Sequence, residues 1–469
     1  MDLSISLQNA LSGLQAAQAS LSIVASNISN AQTPGYSQES AALSTEVVGG
    51  RSAGVLVGVT QRDVNNALNS AAREQDTTAS GASTTNGYYQ QIQNLFGQVN
   101  SSESLNSVFS NFSGAMQTLA TTPQDPVAQQ AAVSSGQALA QSLNNLSSGI
   151  QQVRSNADNE IASDVATVNQ ALQNIANFNT QIEHLQADGQ STAALEDQRD
   201  QALDQVSKMM SVQSFTRPNG GMVVLTTSGQ VLVDTNVGQL NYTPAGTVTA
   251  TSQLSAITLN GANITSGITS GSLGALLTMR DQTLPNLTAQ LNQFTNSLFG
   301  ATQSANLATT NSGLGATNDA NHFFADVDTS SGLDNAATIQ VNPSLVANPG
   351  LLDGPANNPN PAISQAMAQN LTSVQNFASA GGLPASSTTL SAYASQIIGQ
   401  LGNAASNASE NNTFQSSLQT QLAAQASTAN GVNLDQQLEQ LMSFQNMYAA
   451  SAHVISTVDA MFTTLFQIQ

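Results

Sequence analysis

Apolar residues recur every seven positions at both ends of this 469-residue chain. Leu7, Leu14, Leu21 and Ile28 form one series, and Leu3, Ala10, Ala17, Val24 and Ala31 form a second beside it. Spacings of three and four put both series on one helix face, which predicts an N-terminal helix over residues 1–32. Residues 27–38 read NISNAQTPGYSQ, and the helix must stop inside them. Pro34 disfavours helical backbone at Thr33 and cannot join the helix ladder, while Gly35 permits a positive-φ turn. Pro34, Gly35 and Tyr36 are therefore the candidate turn residues that set where the chain leaves this helix.

The last 36 residues repeat the pattern. Leu434, Leu441, Tyr448, Ile455 and Phe462 are seven apart, with Phe444, Ser451, Val458 and Leu465 between them. Burying one large apolar side chain is worth about 1.5–3 kcal/mol, so eight left in water would forgo about 12–24 kcal/mol. The stripe needs a partner. The N-terminal helix has a matching stripe and similar length, so the expected contact sets Leu7, Leu14, Leu21 and Ile28 against Leu441, Tyr448, Ile455 and Phe462.

Between the termini the pattern alternates. Residues 33–62 read as a turn followed by a β-hairpin or extended segment, with Gly49-Gly50 at its tip. Residues 63–210 have helical periodicity, with Ile161, Val168, Ile175 and Ile182 seven apart and Pro123 and Pro126 marking a connection. Residues 211–270 change to Val, Leu and Thr runs divided by Gly and Asn, a β pattern. Residues 271–299 return to helix, 300–361 suit loops and short strands, and helix resumes over 362–433 before the terminal helix at 434–469. The predicted fold class is α+β and multidomain. Its long terminal helices pair as a coiled coil, a helical bundle draws on both halves of the chain, and a β-rich outer domain is inserted between them.

Composition narrows the function. Only 8% of residues are charged, against about 25% in an ordinary soluble chain. The net charge is −20 and Lys208 is the single lysine. Such a chain repels phosphate backbones and anionic lipid, which argues against nucleic-acid and membrane partners. Without cysteine there are no disulfides, thiolate catalysis or Cys-based zinc sites. The N-terminus lacks the basic flank and apolar run of a cleaved signal peptide, and no apolar run is long enough to span a membrane. Export, if it occurs, is expected to use a route that cleaves no signal.

The motifs that suggest chemistry are weak. Gly50-Arg51-Ser52-Ala53-Gly54 fits a nucleophile elbow, but a β-like VLVGV follows where a helix is required. DVDTSSG from Asp326 resembles a calcium loop but has no Gly at its sixth position and Ala337 where the bidentate Glu belongs. His184, His322 and His453 are far apart in sequence. Glu196, Asp197, Arg199 and Asp200 suit helix-end ion pairing. No catalytic, cofactor or metal residue is assigned, and an enzyme is not expected.

Four stretches carry a family resemblance: SGLQAAQASLSIVASNISNAQTPGYSQ, DQRDQAL, GSLGALLTMRDQTLPNLTAQLNQF and GVNLDQQLEQLMSFQNMYAASAHVISTVDAMFTTLF. The first is similar to the N-terminal motif of flagellar rod, hook and junction proteins. Together they resemble the flagellar hook-associated protein 1 family, which forms the hook–filament junction. Gln38 stands where that family often has arginine, and Gln436 and Gln437 replace an acidic pair common after GVNLD. The resemblance implies unfolded export through the flagellum's own channel, no cofactor, and an extracellular place at the junction. It also implies a ring of identical subunits contacting hook protein and the next hook-associated protein, with an export chaperone covering the C-terminal helix. The rival readings are another axial protein, hook or distal rod, or a secreted helical adhesin or effector.

Overall fold

The computed structural model describes residues 3–48, 51–97, 104–303, 322–325, 327, 334–354 and 359–467. It is mostly helical, with small antiparallel sheets. In chain order the first elements are α1 (Leu3–Asn30), β1 (Glu39–Val48), β2 (Arg51–Arg62), α2 (Asn66–Phe96), α3 (Leu105–Thr121), α4 (Pro126–Ala187) and α5 (Ala193–Met209). Then come β3 (Val212–Thr216), β4 (Met222–Thr226), β5 (Val231–Val233), β6 (Leu240–Asn241), β7 (Thr258–Leu259) and β8 (Ala262–Asn263). α6 (Gly271–Thr278) and α7 (Leu284–Ala301) follow, and then β9 (Phe324–Ala325), α8 (Asn335–Thr338), β10 (Gln340–Val341) and α9 (Pro343–Ala347). The last are α10 (Ala362–Thr372), β11 (Gln375–Phe377), β12 (Ser386–Thr388), α11 (Leu390–Asn430) and α12 (Leu434–Gln467).

The spine is α4, 62 residues and therefore about 93 Å long. Asp125 caps it by accepting from the Val127 N–H, and Pro126 starts it where no N–H is needed. Ile161, Val168, Ile175 and Ile182 lie fully buried along one face. α3 and α5 pack on this spine, and α2 pairs with α11 beside it. Buried Phe109, Phe112, Phe294, Phe323 and Phe324 close the core where α3, α7 and β9 meet. No helix among the described residues is long and apolar enough to cross a membrane.

Several expectations are corrected. Residues 271–299 are helical throughout, but Met279–Thr283 winds as a π-helix between α6 and α7. Pro285 has no N–H to offer the Asp281 carbonyl, so the ladder is rewound at that point. Residues 362–433 include the hairpin β11–β12, with positive-φ Gly381 and Gly382 in its turn. The β segment is sparse. Its strands are two to five residues long and form two three-stranded sheets, β3-β4-β5 and β6-β7-β8. The hairpin tip at Gly49-Gly50 and most of the calcium-like stretch after Asp326 lie outside the described residues. Ser52 falls within strand β2, so the strand-to-helix turn of a nucleophile elbow is absent.

Buried arginines take over where strands are lacking. Residues 242–256 are irregular, and Arg154 on α4 donates to the carbonyls of Thr249 (2.9 Å), Ser252 (3.2 Å) and Arg280 (2.9 Å). Arg280 donates to Tyr242 Oη, to Ser255 O at 3.1 Å, and to both carboxylate oxygens of Asp281. It also lies 3.3 Å from Asp158, whose other oxygen accepts the Ala245 N–H at 2.7 Å. A buried charge stripped of its partner is costly. Arg280→Ala leaves Asp158 uncompensated and is expected to destabilise the chain by about 3–5 kcal/mol in denaturant unfolding. Arg280→Met with Asp158→Asn is expected to recover much of that loss. An Arg280→Ala variant as stable as the parent would contradict this account.

Candidate assembly interface

α1 and α12 lie side by side and antiparallel. Asn27 meets Gln437, Gly13 meets Ser451, and Leu7 shares a small cavity with Ala452, Ile455, Val458 and Phe462. Gly13 sits close enough that a Cβ would lie 3.2 Å from Ser451 Oγ. The buried face of α1 is made of small or short side chains: Ala10, Ala16, Ala17, Ser20, Val24 and Asn27. Leu7, Leu14, Leu21 and Ile28 flank that face and are half-buried. On α12, Val458 is buried, while Leu441, Phe444, Ile455 and Phe462 are half-buried.

Two predicted stripe residues are not covered: Leu434 is 43% exposed and Tyr448 41%. The Leu465 side chain lies outside the described residues. One helix covers only one side of another, and the apolar surface of α12 is wider than that. Leu438, Met442, Met447, Val454 and Met461 are also exposed, as are Ile5 and Leu11 on α1. The hairpin β1–β2 packs on another side of α1, where Ser12 Oγ accepts the Val55 N–H at 3.1 Å.

The helix pair is fastened to the helical body through the Pro-Gly turn. Asn27, buried in the pair, uses all four of its hydrogen-bonding positions. Its Nδ2 donates to Glu39 O (2.9 Å) and Gln437 Oε1 (3.1 Å). Its Oδ1 accepts from Tyr36 Oη (2.9 Å) and the Glu39 N–H (3.0 Å). Gly35 has φ +77°, and a Cβ there would meet Gln201 Nε2 at 2.5 Å, while Gln201 itself donates to Pro34 O. Ser37 donates from N–H (3.0 Å) and Oγ (2.8 Å) to the carboxylate of Asp197 on α5. Gln38 anchors through its backbone by donating to Asn430 O at 2.8 Å.

Arg62, at the end of the hairpin, completes the joint. Its guanidinium contacts Glu196 (2.9 Å), Asp197 (2.7 Å) and Asp200 (2.8 Å), with its side chain 8% exposed. Burial opposes its charge, but Asp200, Asp197 and Glu196 together hold its pKa above the ordinary value. The sequence placed these carboxylates in ion pairs within their own helix. The tertiary structure instead gives them to Arg62, some 135 residues away in the chain. Arg199 turns from them to Asn179 Oδ1 (3.1 Å) and Gly220 O (2.6 Å). Asn27, Ser37, Arg62, Asn430 and Gln437 escaped the reading from periodicity, which counts apolar positions. Two signals were present: Ser20 and Asn27 continue a seven-residue spacing, and Arg62 is one of only eight cations.

No group of three or more metal-ligating side chains occurs among the described residues, and the three histidines lie on separate elements. His322 stacks on Phe299 in the core, with ring centroids 3.8 Å apart.

The comparisons fall on these parts. Residues 89–322 match the family model described as the flagellar hook-associated protein FlgK helical domain. Residues 7–36, from α1 to the Pro-Gly turn, match the flagella basal body rod protein model, and 423–468 match the flagellar basal body rod FlgEFG protein C-terminal model. Flagellar hook-associated protein 1 of Salmonella typhimurium is 25% identical, with 99% of each chain covered. Its Escherichia coli counterpart is 26% identical over the same share, and that of Bacillus subtilis is 27% identical over 49% of this chain and 47% of its own. The flagellar hook junction protein of Burkholderia pseudomallei is 26% identical over 55% of this chain and 46% of that one, with a TM-score of 0.45. Matches at both paired chain ends and in the helical body make this an axial structural protein of the bacterial flagellum. The chain belongs to the flagellar hook-associated protein 1 family, whose members are structural proteins rather than known enzymes.

The joint generates two expectations. Asn27→Ala leaves Tyr36 Oη with only Ser26 Oγ at 3.5 Å and removes the side-chain partners of the Glu39 backbone and Gln437 Oε1, and is expected to cost about 2–4 kcal/mol locally. It would be seen as faster amide exchange at Glu39 while α4 stays protected; an unchanged Glu39 amide would disprove the hub. Glu39 has a raised pKa, first from burial and then from Asp197, and burial likewise raises Asp204. An acid whose folded pKa exceeds its unfolded one binds more protons when folded, so its contribution to stability falls as pH rises between the two values. Acidification from pH 7 into the upper carboxylate range is therefore expected to hold or raise the thermal midpoint, and less so in Glu39→Gln. A midpoint that falls steadily over that range would contradict this.

Proposed function

We propose that this chain joins the hook to the flagellin filament as one of a ring of identical subunits. The observation that carries the reading is the apolar surface left on α12 and α1 after the two helices have packed. Seven large side chains of α12 are 40–60% exposed, from Leu434 to Met461. At about half their burial value each, covering them is worth about 5–10 kcal/mol per subunit. Neighbouring subunits are the cover, and the terminal helices then form the coiled-coil inner layer of the axial structure. The helical body lies outside that layer, and the sheets of 211–270 form an inserted outer domain.

Before assembly the same surface is a liability. The chain travels unfolded through the flagellar export channel, with a chaperone on the C-terminal helix. Low charge and lack of cysteine suit that route. Hook protein on one side and the next hook-associated protein on the other are its neighbours, as suits a member of the hook-associated family.

Removal of residues 434–469 is expected to leave the helical body folded, judged by circular dichroism and limited proteolysis, and to abolish incorporation. Cells carrying the truncated chain should build hooks without filaments and shed flagellin into the medium. Loss of the hooks themselves would shift the protein to the hook or rod, and normal filaments would refute an assembly role for α12.

A further inference from the structure

β3 is the outer strand of its sheet, paired with β4 on one side only. Arg217 N–H donates to Gly221 O, and antiparallel ladder bonds recur at every second residue. Gln213 and Phe215 therefore bond β4, while Val212, Ser214 and Thr216 turn N–H and C=O outward. Met222, opposite Thr216, fixes this phase by giving its own N–H and C=O to Asn179 on α4. Among the described residues no backbone or side-chain partner takes the outward groups of Val212, Ser214 or Thr216.

Beside these residues lie two cavities of about 360 and 350 Å³, which share Ser70, Arg73 and Ser214 and so adjoin as one groove. β3 forms one wall and the first turns of α2 the other. Five residues of strand span about 17 Å, enough for a short added strand. The cations in the groove are already engaged: Arg62 by three carboxylates, Arg73 by Asp204 at 2.7 Å, and Arg199 by Asn179 and Gly220. Only Glu74 and Asp200 add negative charge to the lining.

We propose that this groove takes an extended segment from a second copy of the chain, which adds a strand to β3 and satisfies Val212, Ser214 and Thr216. Strand addition supplies backbone hydrogen bonds with little demand on side-chain identity. Charge selects the occupant. Two copies of net charge −20 repel over most of their surface, so they meet where charge is closest to balance. Here Arg62, Arg73 and Arg199 stand among Glu74, Glu196, Asp197, Asp200 and Asp204, three cations to five carboxylates against 8 to 28 in the whole chain. An uncharged segment rich in Ser, Thr, Asn and Gln suits the groove, and such segments dominate this sequence. The inference rests on the multi-copy reading above but concerns a different surface.

The test compares the dispersed chain with the chain concentrated until it self-associates. Amide exchange at Val212, Ser214 and Thr216 is expected to slow at least about tenfold on association. Ser214→Pro removes an outward donor without breaking the β3–β4 ladder, as proline is tolerated at such edge positions. It is expected to keep the thermal midpoint and to raise the concentration for half-association by about tenfold, the worth of about one hydrogen bond. Oxidation of Met442, Met447 and Met461 reports the α12 surface separately in the same samples. Methionines shielded while β3 amides stay fast would overturn this inference alone. Amides protected while the methionines oxidise freely would support it and undo the α12 reading. No change in either overturns both, and β3 protection that appears only on adding another axial subunit overturns the second copy as occupant.

Discussion

Arg62 holds the two parts of the molecule in fixed relation. It ends the hairpin that follows the N-terminal helix, and its guanidinium is the meeting point of three carboxylates on α5. A buried cation without partners costs several kcal/mol, so the hairpin and α5 cannot separate without exposing both to that penalty. Ser37 binds the same Asp197, and Asn27 ties the turn to both terminal helices. The direction in which the helix pair leaves the body is thus set by polar groups at short range, whereas the pairing itself is set by apolar shape.

The same economy runs through the chain. Of the eight cations in 469 residues, six have a particular task. Arg62 and Arg73 join the ends to the body, Arg154 and Arg280 hold the irregular 242–256 segment, Arg199 fixes the 220 turn, and Arg217 pairs with Asp234. The cations are used internally and most acids remain outside, which leaves a surface of one sign. Contacts between copies then have to come from apolar faces and unpaired backbone, because ion pairing between copies is scarcely available to such a chain.

Much of the architecture was legible because α-helix periodicity is local. The seven-residue spacing of Ile161, Val168, Ile175 and Ile182 marked the buried face of α4, and Pro34-Gly35 marked the end of α1. The π-turn over Met279–Thr283 and the hairpin β11–β12 were not legible, since a single proline or paired glycine changes the backbone without changing the apolar pattern. The 211–270 segment looked richer in strands than it is. Val and Thr runs suit a strand, but without a long partner to pair with they are held by arginine side chains instead.

The sequence by itself determined the helices, their apolar faces and the need of each terminal stripe for a partner, because these follow from spacing along one chain. Tertiary structure decided which residues meet. It put Ala10, Ala17 and Val24 at the tight seam rather than the leucines beside them, since close approach of two helices favours small side chains. It gave Glu196, Asp197 and Asp200 to Arg62 instead of Arg199. It also left Leu434 and Tyr448 in solvent. Such pairings depend on three-dimensional proximity between segments far apart in the chain, and no periodicity in the sequence encodes that distance.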